Sequence, residues 1–207
     1  DGALKSLVNA LNAAAGSEVW AYAPSPSTVP ANEDVIRIAF IYKKAKIAPV
    51  GDSVIYDDPA YTGLARQPLA QDFKPLTDAN HEGKNFVVIA NHFKSKGSAP
   101  KNLSGAEAAA NTDNGDGQGN SNGVRVKQAR ALATFAQRFN GTPTVLVGDF
   151  NAYSKEDPLK VLTDAGWTHE SGHGDSSYVY GGRSGSMDHV FANSAAHPLI
   201  TEVKSWA

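Results

Sequence analysis

The 207-residue chain carries 41% hydrophobic and 19% charged residues, the balance of a globular protein long enough to bury one substantial core. A net charge of −2 argues against a broadly basic surface that holds nucleic acid by charge alone, and leaves a local basic cleft open. The absence of cysteine excludes disulfides and thiolate metal sites, and no apolar run approaches a membrane span.

The chain opens at Asp1 and enters a helix pattern at once, with Leu4, Leu7, Val8 and Leu11 at i, i+3, i+4 and i+7. A Pro/Ser loop from Pro24 to Pro30 follows. Val35 to Tyr42 then reads as a strand, with Ile36, Ile38 and Phe40 on one face. Residues 52–63 read mostly as loop, Leu69 to Phe73 as a strand and Phe86 to Ala90 as another. The short connections here predict antiparallel pairing.

Residues 98–123 are rich in Gly, Asn and Asp and poor in large apolar side chains, the composition of a flexible polar loop. A helix follows, with Val124, Leu132, Phe135 and Phe139 on its apolar side and Gly141 as its stop. A strand at Thr144 to Val147 and a short helix from Pro158 to Gly166 come next. Tyr178–Tyr180 and Met187–Phe191 are predicted to pair as a hairpin across Gly181–Gly185. Leu199 to Val203 is strand-like and runs to the end at Ala207, so both termini read as interrupted. The pattern predicts one α/β domain, residues 1–207, with a mixed and mainly antiparallel sheet system.

Three segments carry the chemistry. The apolar run Val145-Leu-Val ends in Gly148-Asp149-Phe150-Asn151, an acid and an amide two residues apart. If the extended geometry persists, both side chains point one way and could share a metal ion and a phosphate; the same residues also suit a turn. The strand Phe86–Ala90 delivers Asn91-His92, then Lys94, Ser95 and Lys96, two cations and a hydroxyl beside an imidazole that suit a phosphate. Met187-Asp188-His189 offers a carboxylate that could orient an imidazole or ligate a metal.

Together, Asn91-His92-Phe-Lys-Ser-Lys96, Gly148-Asp-Phe-Asn-Ala152 and Ser186-Met-Asp-His189 resemble the endonuclease/exonuclease/phosphatase (DNase I-like) superfamily. Within it, the chain is most similar to secreted bacterial nucleases of the ExeM/NucH type. Ala65-Arg-Gln-Pro-Leu69 leading into Phe73, and Gly115–Gly119 followed by Arg125 and Gln128, support the resemblance. It implies a four-layer α-β-β-α sandwich and hydrolysis of DNA, with RNA as a further substrate, assisted by Mg²⁺ or Mn²⁺.

By this resemblance Asp149 would orient or deprotonate the water and contact metal, and Asn151 would hold a phosphate oxygen. His92 would stabilise the phosphate or help protonate the leaving oxygen, and Asp188 would orient a second histidine. Asn91, Lys94, Lys96, Arg125 and Tyr153 are candidate substrate contacts, and His189 is expected near the site without a catalytic role. Gln67 stands where some members carry a Glu that pairs with the first histidine. Asp113 and Asp116 could instead hold Ca²⁺, although the full EF-hand spacing is absent.

The superfamily's metal-binding Glu, an early Asn and a final Ser-Asp-His are not found in residues 1–207. The chain alone is therefore expected to be inactive or weak. An extracellular location follows from the resemblance only. A lipid or small-molecule phosphodiesterase and a catalytically silent binding module are the competing readings. The lipid reading calls for exposed aromatic membrane-contact loops, and Trp20, Trp167 and Trp206 are scattered.

Overall fold

The computed structural model describes residues 2–31, 35–76, 84–171, 176–180 and 182–204. Its centre is a six-stranded sheet of order β3-β4-β5-β6-β10-β7. The strands are β3 (Ile47–Ile55), β4 (Arg66–Pro75), β5 (Phe86–His92), β6 (Thr144–Asp149), β7 (Thr168–His169) and β10 (Asp188–Ala192). Only β5 and β6 run parallel; the other neighbours are antiparallel. The parallel pair is joined through α3 (Asn122–Ala136), the long crossover that parallel strands require.

Alternation along the strands decides what each face meets. Val87, Ile89 and Leu146 bury against Leu132, Phe135 and Ala136 of α3 and Leu159 and Leu162 of α4 (Asp157–Asp164). Phe86, Val88, Ala90 and His92 therefore point to the opposite face. Phe73 is the register partner of Phe86 and shares that face. There the rings of Phe40 and Tyr42 pack edge-on against Phe73, with centroids 5.8 and 6.0 Å away. Tyr42 belongs to β2 (Ile41–Lys43), which pairs with β1 (Trp20–Tyr22). Behind β1 lies α1 (Gly2–Ala15), clamped by Asn12, whose side chain donates to Trp20 O and accepts from Trp20 N. The layers thus run helix, sheet, sheet, helix, the expected four-layer order.

Several local expectations give way. The strand foreseen from Val35 shrinks to β2, the stretch that pairs in register with Trp20–Tyr22, and Val35 and Ile36 are exposed. Conversely, β3 extends through Ile55 into the region read as loop, since Val54 and Ile55 pair with Ala70 and Leu69 of β4. Tyr178–Tyr180 (β8) pairs with β9 (Arg183–Gly185), while β10 inserts between β6 and β7. Residues 200–204 form no strand.

Segment 98–121 is also more ordered than its composition suggested. It contains α2 (Gly105–Ala109), and its polar side chains supply the missing core. Buried Asn111 donates to Glu107 O and accepts from Val124 N, while the Ser121 hydroxyl donates to Ser98 O.

Candidate active site at the ends of the central strands

The parallel register of β5 and β6 sets Asn91 beside Gly148 and His92 beside Asp149. On the other side of β6, antiparallel β10 begins with Asp188 directly opposite Asp149. On the other side of β5, Arg66 of β4 is the partner of His92. Register partners share a face, so Arg66, His92, Asp149 and Asp188 form a row across four adjacent strand ends, on the face away from α3 and α4. Open α/β sheets commonly place ligands beyond the carboxyl ends of their parallel strands.

Within the row, His92 Nε2 lies 3.6 Å from Asp149 Oδ2. Burial pushes the Asp149 carboxyl above its ordinary value; the Asn151 N–H and His92 oppose the shift, and the charge of Asp188 adds to it. A carboxylate with raised proton affinity is better suited to take a proton near neutral pH.

The strand geometry does not continue to Asn151. Its φ is +48°, and the chain turns so that its backbone N–H donates to Asp149 Oδ1 at 2.8 Å. Asn151 Nδ2 donates to Phe93 O at 2.9 Å, tying the end of β6 to the end of β5. Its amide keeps a second N–H, so the side chain locks the site and retains a donor.

Gly148 makes the close approach possible. With φ +135°, a Cβ there would lie 2.0 Å from Asn91 O. Asn91 itself is buried, and its amide donates to Val147 O, which makes it a brace between strands rather than a surface contact.

Two further expected substrate contacts turn inward. The Arg125 side chain is fully buried and donates to the carbonyls of Lys94, Asn120 and Gln118, so it organises the polar segment instead of facing a phosphate. Lys96 Nζ donates to Gln118 O and to both carboxylate oxygens of buried Glu156, spending its charge internally. Lys94 has no such carboxylate partner among the described residues. Tyr153, half-buried, lies with its ring 5.2 Å from Lys96 Nζ.

His189 is buried below the row. A carbonyl can only accept, so His189 Nε2–H donates to Ala152 O at 2.9 Å, and Nδ1 accepts from His169 Nε2–H at 3.0 Å. Burial holds its pKa below the ordinary value. Arg66 is the row member to which no role was given from sequence; its signal was the Ala65–Leu69 motif, but only strand register places it beside His92.

Asp149 and Asp188 offer two carboxylates on one face. Mg²⁺ is commonly held by one or two carboxylates, with water and phosphate oxygens completing its shell, so these residues fit it. Among the described residues, no group of three or more His, Asp or Glu side chains is placed to hold a metal ion. In the polar segment, Asp113 and Asp116 each close their own turn, accepting from Gly115 N and Gln118 N.

The described residues also include an exposed aromatic hairpin, where the sequence showed only scattered Trp. Tyr178, Val179 and Tyr180 of β8 are 40%, 70% and 74% exposed. No helix of the described residues is long and apolar enough to cross a membrane.

No family model and no curated protein matches this chain. Solved structures do. An endonuclease/exonuclease/phosphatase family protein from Bacteroides thetaiotaomicron aligns over 90% of this chain and 65% of its own, with a TM-score of 0.56 at 13% identity. The mannosyl-6-phosphatase of the same organism aligns over 93% and 68%, with a TM-score of 0.58 at 12% identity. TDP2 from D. rerio, complexed with a single-strand DNA product, aligns over 93% and 68%, with a TM-score of 0.55 at 15% identity. The fold is therefore the DNase I-like fold of the endonuclease/exonuclease/phosphatase proteins. The chain spans about two thirds of the length of these neighbours.

Proposed function

We propose that this chain carries part of the active site of a metal-assisted phosphodiesterase acting on nucleic acid, DNA first and RNA as a further substrate. The observation that carries the reading is Asp149, held next to His92 and opposite Asp188 at the end of the central strands. Asp149 takes the proton of the attacking water as the new P–O bond forms. His92 hydrogen-bonds the phosphate or gives its proton to the leaving oxygen as the ester P–O bond breaks. Asn151 offers its remaining N–H to a phosphate oxygen, and Arg66 brings a cation to the same row. Asp149 and Asp188 would hold Mg²⁺ or Mn²⁺, whose charge stabilises the crowded phosphorus centre.

The similarity to the ExeM/NucH type supports a secreted nuclease, and a fold shared with a DNA-processing enzyme is compatible with it. Substrate class is set by the site and its loops rather than by the fold. Plasmid nicking by the full-length gene product tests the proposal. Nicking is expected in Mg²⁺, absent in EDTA, and reduced about 100-fold or more by Asp149→Ala, the scale of a lost acid–base group. Unchanged nicking by that variant would remove Asp149 from the reaction.

A further inference from the structure

The hairpin β8–β9 is rooted on the active-site row. The Ser177 hydroxyl accepts from Met187 N and Asp188 N, and bonds the Ser186 hydroxyl at 3.0 Å, while Ser176 Oγ donates to Gly185 O. Tyr178 and Tyr180 stand two residues apart on one face, with rings 6.2 Å apart and only 18° from parallel. Tyr178 is the register partner of Gly185. A Cβ on Gly185 would lie 2.6 Å from the Tyr153 ring, so that ring fills the place of a side chain at position 185. Partners share a face, which puts Tyr153 on the same side of the hairpin as Tyr178 and Tyr180. Three aromatic rings thus follow one another outward from Asn151, two residues before Tyr153.

We infer that Tyr153, Tyr178 and Tyr180 form a stacking track that takes successive bases of a single-stranded nucleic acid leaving the catalytic row. The inference rests on the nucleic-acid reading above and names the form of substrate that this site takes. The near-parallel rings of Tyr178 and Tyr180, with Tyr153 on the same face, present π surfaces as a strand of bases requires, and such stacking tolerates any sequence. A hairpin built to enter a lipid surface would carry its apolar side chains at the tip. Here exposed Gly182 lies in the turn, and Val179 points away from the two tyrosines.

The test is equilibrium binding of a fluorescein-labelled oligodeoxythymidylate to the full-length protein in EDTA, where hydrolysis is not needed. Tyr178→Ala/Tyr180→Ala should weaken binding by about tenfold or more, the scale of base–aromatic stacking, while Tyr178→Phe/Tyr180→Phe should keep it. An abasic strand of equal length should bind weakly, and equally to wild type and the alanine variant. Unchanged binding by the alanine variant, or equal losses on normal and abasic strands, would overturn the track. So would loss of binding to sphingomyelin–phosphatidylcholine vesicles with DNA binding intact, which would make the hairpin a membrane contact. If the double variant does not fold by circular dichroism, Tyr180→Ala at the more exposed ring carries the same comparison. Base-dependent binding without Mg²⁺-dependent nicking would leave the track standing and remove the catalytic reading.

Discussion

Asp188 lies directly opposite Asp149 across the β6–β10 ladder, so two carboxylates share one face at the same strand level. The facing charge and the burial of Asp149 both work against its ionisation. Two carboxylates held together against their own repulsion are the expected mark of a site that meets a cation or a proton.

The sign of the effect is testable through Asp149→Asn. A carboxyl whose folded pKa is raised contributes stability that is present below its unfolded value, about 3.9, and is lost as pH rises through the folded value. The variant should therefore melt higher than wild type at pH 7 in EDTA, with the gap closing toward pH 4, while nicking in Mg²⁺ collapses. A lower melting temperature at pH 7 would contradict the assignment.

Gly148→Ala should damage fold and site together. The new methyl meets a backbone oxygen that cannot rotate away, and the φ of +135° disfavours any side chain. A loss of at least about 2 kcal/mol in urea unfolding is expected, in the range of overpacking and backbone strain.

Arg125→Ala separates a structural role from phosphate binding. It leaves the carbonyls of Asn120 and Lys94 without that donor, each costing roughly 1–3 kcal/mol, while Gln118 O keeps the Lys96 ammonium. Limited proteolysis should then cut within residues 111–121. Faster cleavage there is the expected result, and weaker oligonucleotide binding with unchanged stability is the contrary one.

Glu156→Gln should be worse than removing the whole pair. It strands the Lys96 ammonium, whose pKa burial already lowers, at a cost of about 3–5 kcal/mol. Lys96→Met/Glu156→Leu should recover much of that loss. Additive losses in the double variant would show that the two side chains do not act as a pair.

His189 predicts an acid limb. Its depressed folded pKa means that its stabilising contribution is present above the ordinary value of 6.5 and is lost as pH falls below it. Protonating Nδ1 also removes the acceptor that His169 uses. Melting curves from pH 7 to pH 5 should fall more steeply for wild type than for His189→Gln.

The sequence by itself determined the chemistry-bearing strand ends. Gly148-Asp149, Asn91-His92 and Asp188 follow local apolar runs, and the stops at Gly141 and Gly166, both with positive φ, are written in single residues. Such features need only neighbours in the chain. Tertiary structure alone decided what lies across from them. Strand register placed Arg66 beside His92, and gave β8 to β9 rather than to β10. Whether a cation faces solvent or a buried carbonyl likewise depends on what packs around it, which is why Arg125 and Lys96 read as phosphate contacts and proved to be internal ties. Pairing and burial are set by residues distant in sequence, and a local pattern carries no term for them.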